Sequence, residues 1–458
     1  MAKVKRAYVC NDCGADYPRW QGQCNACGAW NTITEIRLAA SPQVARNERL
    51  VGYAGAVEST VQVLSEIDLQ EVPRFTSGFK ELDRVLGGGI VPGAAILIGG
   101  NPGAGKSTLL LQTMCMLSSQ MPALYVTGEE SLQQVAMRAS RLGLPKEHLK
   151  MLSETNVDKI VQIAEKEQPR IMVIDSIQVM HVSDVQSSPG SVAQVRESAT
   201  TLTRYAKQNN VAVFMVGHVT KDGTLAGPKV LEHIIDCSVL FDGGSDSRFR
   251  TLRSNKNRFG AINELGVFAM TEQGLREVSN PSAIFLSRGE EETSGSSVMV
   301  VWEGTRPLLV EIQALVDYSQ QANPRRVAVG LDQNRLSLLL AVLHKHGGLQ
   351  MADQDVFVNV VGGVKVTETG ADLALIMSLL SSFRDRPLPK DVVVFGEVGL
   401  AGEIRPVPSG QERLMEAFKH GFKKAIIPSA NMPKGGIAGM EIHGVRKLSE
   451  AIDAFDEV

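Results

Sequence analysis

The chain has 458 residues, enough for two or three domains rather than one core. A hydrophobic share of 43% and a charged share of 21% are those of a soluble globular protein. The formal net charge of −3 excludes nucleic-acid binding through overall charge, so any such contact must come from local basic surfaces. No apolar run approaches the ~20 residues that span a bilayer. The start, Met1 to Arg6, meets a cysteine pair at once and holds no signal-peptide core, so a cytoplasmic location is expected.

Four of the six cysteines stand at Cys10, Cys13, Cys24 and Cys27. Each pair is spelled C-x-x-C-Gly, a tight turn offering two thiolates, and Gly14 and Gly28 can take the positive φ that aims backbone N–H groups at sulfur. Two such pairs suit tetrahedral Zn²⁺, and a reducing compartment argues against disulfides. Redox dithiols or an iron site are the alternatives. The segment is too small to bury a core, so metal binding would fold it. Trp20 and Trp30 are expected to pack over the knuckle, with base stacking as the alternative. Cys115 and Cys237 read as core thiols. Residues 36–59 mix Ala, Ser, Pro, Arg, Gly and Gln without a period and read as a linker.

From about residue 60, apolar strands alternate with amphipathic helices, which predicts a mainly parallel sheet covered on both faces. Residues 100–107 carry the full G-x-x-x-x-G-K-[ST] pattern between an apolar strand and a helix. Gly100, Asn101, Pro102, Gly103, Ala104 and Gly105 form a loop whose backbone N–H groups can curl around phosphate oxygens. Lys106 would reach the β- and γ-phosphates of ATP, Ser107 would offer its hydroxyl to Mg²⁺, and Thr108 continues the helix N-terminus.

The next strand, 123–127, ends at Glu129 and Glu130. A carboxylate there can orient the attacking water, with Glu129 the first choice and Glu130 the second. The run 171–175 is four apolar residues closed by Asp175, which would face the Mg²⁺ shell. A further strand, 212–216, leads to His218, either a γ-phosphate sensor or a structural histidine. Two polar, Gly-bearing segments, 178–194 and 220–229, leave the same sheet edge and are candidates for ligand contact. The string Lys256-Asn-Arg258-Phe-Gly260 places two cations on a short tip. They can act as a finger on a neighbouring subunit's nucleotide or grip a nucleic-acid backbone.

Taken together, the four-cysteine knuckle, the ATPase pattern and the Lys-Asn-Arg-Phe-Gly string resemble the bacterial RadA (Sms) family of DNA repair and recombination ATPases, over essentially the whole chain. The resemblance implies an α/β chain of a zinc ribbon (1–35), a linker (36–59), a RecA-like ATPase domain (60–279) and an α+β Lon-protease-like domain (280–458). It implies that Glu129 stands at the catalytic glutamate of RecA-type ATPases and His218 at a nucleotide-sensing glutamine. It also implies that Lys256 and Arg258 match paired basic residues reaching across subunits, and that the two polar segments match DNA-binding loops.

The last domain is similar to the proteolytic domain of Lon, with strings such as Gly-Glu-Ile-Arg-Pro-Val at 402–407 and Ala-Ile-Ile-Pro at 425–428. A Lon-type site needs a Ser nucleophile and a Lys base. Where the family carries them, this chain reads Ala371 and Gln411, and neither Thr367 nor Thr369 has a matched base. A proteolytically inactive scaffold is expected. Arg325, Arg326, Arg384, Arg386 and Lys390 read as solvated rather than DNA-facing.

The functional expectation is a DNA-dependent ATPase motor using ATP, Mg²⁺ and Zn²⁺. The resemblance implies a hexameric ring on single-stranded DNA that processes and branch-migrates recombination intermediates with RecA. Whether the ribbon meets DNA, RecA or a replicative helicase stays open. An ATP-dependent protease and a nucleotide-switched scaffold are the competing classes.

Overall fold

The computed structural model describes residues 5–38, 73–218, 231–243, 248–284, 286 and 292–458. All but the first residues of the expected linker, and the whole polar segment 220–229, lie outside the described residues. The chain divides into two compact units, Met1–Val278 and Ser279–Val458. Among the described residues no helix is long and apolar enough to cross a membrane.

At the start of the first unit, β1 (Lys5–Cys10) pairs antiparallel with β2 (Asp16–Tyr17) and β3 (Ile33–Leu38). The third strand continues past residue 35, where the ribbon was expected to end. The ribbon interior consists of Cys10, Cys24 and Ile33, with Tyr8, Cys13, Ala15 and Tyr17 against them. Neither indole belongs to that cluster. Trp20 and Trp30 are 57% and 68% exposed, which corrects the expectation that they pack over the knuckle.

The strands of the main sheet are β4 (Ala95–Gly100), β5 (Ala123–Thr127), β6 (Lys150–Ser153), β7 (Ile171–Asp175), β8 (Ala212–His218), β9 (Cys237–Asp242), β10 (Phe249–Asn257), β11 (Leu265–Thr271) and β12 (Gly274–Glu277). They lie in the order β12-β11-β10-β9-β4-β8-β7-β5-β6. From β9 to β6 every pair is parallel. From β9 to β12 every pair is antiparallel, because consecutive strands there are joined without a crossover helix.

Side-chain alternation sends successive residues to opposite faces. Ile96, Ile98, Tyr125, Val173, Phe214 and Val216 enter one core, shared with α1 (Lys80–Val85), α2 (Lys106–Leu117) and α3 (Leu132–Arg141). Ala95, Leu97, Leu124, Val126, Met172, Ile174 and Met215 enter the other, shared with α4 (Val157–Glu167) and α5 (Val192–Asn209). Ser131, Asn156 and Ser191 cap α3, α4 and α5 by accepting from N3 amides. Double-sided burial explains why these strands read as continuous apolar runs rather than alternating ones.

The second unit holds β13 (Ser296–Glu303), β14 (Arg306–Tyr318), β15 (Arg326–Val329), β16 (Gln354–Val360), β17 (Val392–Val394), β18 (Glu397–Val398), β19 (Ile404–Arg405), β20 (Lys424–Pro428) and β21 (Glu441–Val445). Its main sheet runs β15-β16-β14-β13-β17-β20-β21, and β18 pairs separately with β19. The helices are α6 (Gln333–Gly347), α7 (Asp372–Arg384), α8 (Gly410–Lys419) and α9 (Leu448–Glu457). α7 is buried from Asp372 to Ser381 and is tied to the β13–β14 hairpin through Ser378, which lies 2.7 Å from Ser297 Oγ and donates to the Ile312 carbonyl. Among the basic residues read as solvated, Arg325 is paired with Asp355, and Arg384 and Arg386 both meet Asp456.

Candidate nucleotide site and metal centre

The carboxyl end of a parallel strand is where an open α/β sheet exposes its chemistry. Here four parallel neighbours deliver their ends to one edge. β4 leads into the phosphate loop, β8 ends at His218, β7 ends at Asp175, and Glu129 follows β5. Gly105 caps α2 at φ +111°, a conformation that a Cβ would strain. Asn101, Pro102 and Gly103 form the exposed tip, Ala104 is buried, and Ser107 and Thr108 are half-buried on the first turn of α2.

Lys106 is almost fully buried, and its ammonium donates to the carbonyls of Gly100 at 2.7 Å and Asn101 at 2.8 Å. Burial pushes it down to about 8, against the pull of Asp175 and Glu129. His218 stands between the two ends of the site, with Nδ1 3.5 Å from Lys106 Nζ and Nε2 3.5 Å from Glu129 Oε1. His218 holds the Glu129 carboxyl below its usual range, with help from the Ser176 hydroxyl, which donates to the same oxygen, and against partial burial.

The two glutamates after β5 face different partners. Glu129 meets His218 and Ser176, whereas Glu130 is paired with Arg138 on α3. Asp175 accepts from the Tyr125 hydroxyl through Oδ2 at 2.6 Å. Tyr125, Ser176 and Arg250 were not singled out in the sequence. Tyr125 and Ser176 sit beside the acidic residues only because β5 and β7 are sheet neighbours. Arg250, buried, donates to the Ala104 carbonyl at 2.9 Å and so braces the phosphate loop from behind.

Lys256 and Arg258 stand elsewhere. Asn257 is in register with Cys237, and Cys237 with Ile96, so the basic pair is level with the amino end of β4. Gly100, four residues on, is about 13 Å away along the strand. Their side chains fold back onto their own chain. Lys256 Nζ donates to the carbonyls of Ile235, at 2.7 Å, and Glu232. Arg258 Nη1 meets Asp236 Oδ1 at 3.0 Å, and the same carboxylate accepts from Lys207 at 2.9 Å and from the Ala95 amide at 3.0 Å.

In the ribbon, the sulfurs of Cys10, Cys13, Cys24 and Cys27 all lie within 4.8 Å of one another. The pairs Cys10–Cys27 and Cys13–Cys24 are 3.7 and 3.4 Å apart. Thiolates ~2.3 Å from a tetrahedral Zn²⁺ stand about 3.8 Å apart, so the donor set fits that ion. The Tyr17 hydroxyl, 3.1 Å from Cys24 Sγ, lowers that thiol to about 6, whereas burial pushes the neighbouring Cys13 up to about 12. A metal needs its cysteines as thiolates.

The second unit has a cavity of about 460 Å³ bordered by Arg335, Thr367, Glu368, Thr369, Ala371 and Asp372. Ala371 is buried and Gln411 is exposed. Instead of a nucleophile and base, two ion pairs occupy this region. Arg413, 1% exposed, donates to both oxygens of Glu368 at 2.8 and 2.7 Å and to the Pro408 carbonyl at 3.0 Å. Arg335 Nε meets Asp372 Oδ1 at 2.8 Å. Thr369 donates to Glu397 at 2.6 Å, so its hydroxyl is engaged by a carboxylate rather than by a lysine base.

Three family models match the chain. An AAA domain covers residues 63–224, a rubredoxin metal binding domain covers 8–35, and a model described as subunit ChlI of Mg-chelatase covers 314–431. The fold class read from the sequence therefore holds: a zinc ribbon, a P-loop ATPase domain with a mostly parallel sheet, and a Lon-like C-terminal domain. The chain is 78% identical to the DNA repair protein RadA of Escherichia coli and 61% identical to that of Pseudomonas aeruginosa, over the full length of both proteins in each case. It is 46% identical to the DNA repair protein RadA of Bacillus subtilis over 99% of each chain. With an ATP-binding domain behind a four-cysteine ribbon and this likeness end to end, the chain belongs to the RadA family of DNA repair proteins.

Proposed function

We propose that the chain is a DNA-dependent ATPase of DNA repair and homologous recombination, active in the cytoplasm as a homo-oligomeric ring, hexameric by family resemblance. Its substrate is single-stranded DNA within branched recombination intermediates, which it processes and branch-migrates alongside RecA, with a replicative helicase as a further partner. The working parts are a ribbon over 1–35, a linker over 36–59, an ATPase domain over 60–279 and a proteolytically inactive Lon-like domain over 280–458.

One observation carries this reading. Lys106, Glu129, Asp175 and His218 share one sheet edge, while the strand register sets Lys256 and Arg258 two strands over and level with the amino end of β4, four residues (about 13 Å along the strand direction alone) from Gly100. The basic pair cannot serve its own nucleotide. Packed head to tail, a neighbouring copy supplies it. In that assembly the backbone of 100–105 and Lys106 would hold the phosphates, and Ser107 and Asp175 would hold Mg²⁺, which when bound would supply charge neutralisation at the transferred phosphoryl group. Glu129 orients the attacking water, and His218 links Glu129 to Lys106, so loss of the γ-phosphate alters the contacts of both. Segment 178–194 begins just after Asp175 and is suited to carry that change to DNA.

The test is steady-state ATP hydrolysis per chain against protein concentration, with and without oligo(dT). The rate is expected to climb with concentration and to rise again with the oligonucleotide. A rate flat in both contradicts the proposal.

A further inference from the structure

Two indoles, those of Trp20 and Trp30, stand largely in solvent outside the ribbon's apolar cluster. Trp20 is held through its ring nitrogen and Trp30 through its backbone. Trp20 Nε1 donates to the Ile33 carbonyl at 3.1 Å. Trp30 forms a backbone bridge with Gln23, and the adjoining Asn31 amide donates to the Gly22 carbonyl at 2.7 Å. The two rings converge on Gly22. Atoms of each lie 3.7–3.9 Å from the point where a Cβ on that glycine would stand, so both indoles border the same patch of backbone.

We propose that Trp20 and Trp30 form a stacking site for an unpaired base, through which the ribbon grips single-stranded DNA. The inference rests on the reading of the chain as a protein that acts on such DNA. An indole offers a large, rigid π-face at low entropic cost, and every base has a matching face, so the grip is sequence-tolerant. The rim offers groups that a nucleotide can use. Asn31 is an exposed amide beside Trp30, Gln23 keeps its carbonyl oxygen and one N–H while Nε2 donates to the Gly28 carbonyl at 2.9 Å, and exposed Arg19 precedes Trp20 and can meet a phosphate.

The chain's three tryptophans make the site directly observable, because Trp302 lies in the other compact unit. In full-length Trp302→Phe, indole emission comes from the ribbon alone. Titration with oligo(dT) is expected to quench it. Trp20→Ala/Trp30→Ala, made in the full-length chain, is expected to bind oligo(dT) about 5- to 150-fold more weakly with its zinc content unchanged, while Phe at both positions retains binding. Oligo(dT) binding with unquenched ribbon emission and equal affinity in the Ala variant overturns the inference but leaves DNA binding intact. That is also the outcome expected if the indoles dock a protein. Failure of the unaltered chain to bind oligo(dT) overturns the DNA reading and this inference together.

Discussion

The hydroxyl of Tyr125 donates to Asp175 Oδ2 at 2.6 Å, across two sheet neighbours separated by 50 residues of chain. Burial and the adjoining carboxylate push the phenol well above its ordinary value, so it remains a donor. Tyr125→Phe keeps the packing and removes only the bond that orients Asp175. Partners of this kind are worth roughly 10- to 100-fold in metal affinity or activity. The expected outcome is a Mg²⁺ titration of ATP hydrolysis displaced to higher concentration by about tenfold. An unchanged titration would remove Tyr125 from the site.

Glu129 and Glu130 are adjacent in sequence but face different partners, so substitution should separate them. Glu129→Gln is expected to keep ATP bound while turnover falls by about 10²- to 10⁴-fold. Glu130→Gln disturbs a pair with Arg138 at the start of a surface helix and should leave turnover within about threefold. Single-turnover hydrolysis on both variants, with nucleotide binding measured separately, decides the matter. Equal losses would mean that the contacts of Glu129 with His218 and Ser176 have no catalytic meaning.

The ribbon should depend on its metal. Among its described residues, the buried apolar ones are Cys10, Cys24 and Ile33, too few to hold a fold without a staple. Cys10→Ser, or treatment with a strong chelator, is expected to release one zinc per chain and expose the ribbon to limited proteolysis. Full metal content in Cys10→Ser would contradict the four-cysteine assignment.

In the Lon-like domain, Arg413 is buried and bidentate with Glu368. Glu368→Ala strands a buried guanidinium, which costs about 3 kcal/mol. The expected result is a lower-temperature unfolding transition for this unit, with no proteolysis of casein by either the altered or the unaltered chain. An unaltered transition would mean that the pair is dispensable, and casein cleavage would mean that Ala371 does not report an inactive site.

Much of this was legible beforehand, for physical reasons that differ by element. The strands 123–127 and 171–175 were read to the residue, because a strand buried on both faces leaves an apolar run with sharp polar ends. The phosphate loop was legible because its chemistry demands glycines, a lysine and a hydroxyl at fixed spacing. What escaped depends on neighbours across the sheet. Tyr125 reads as one more core aromatic until β7 lies beside β5. Arg258 reads as a free cation until Asp236, held to Ala95 at the foot of β4, turns toward it. Trp20 and Trp30 read either as packing over the knuckle or as stacking on a base, and their exposure, which depends on how the ribbon's strands close, is not legible from spacing.

The central claim is that one copy's phosphate loop is completed by another copy's Lys256 and Arg258. The most direct measurement is ATP hydrolysis by a mixture of two inactive variants. Lys106→Ala lacks the phosphate lysine but keeps the basic pair, and Lys256→Ala/Arg258→Ala has the reverse defect. Mixed assemblies bring an intact loop against an intact pair, so the mixture is expected to hydrolyse ATP well above the sum of its parts. A mixture whose rate is only that sum would contradict the claim.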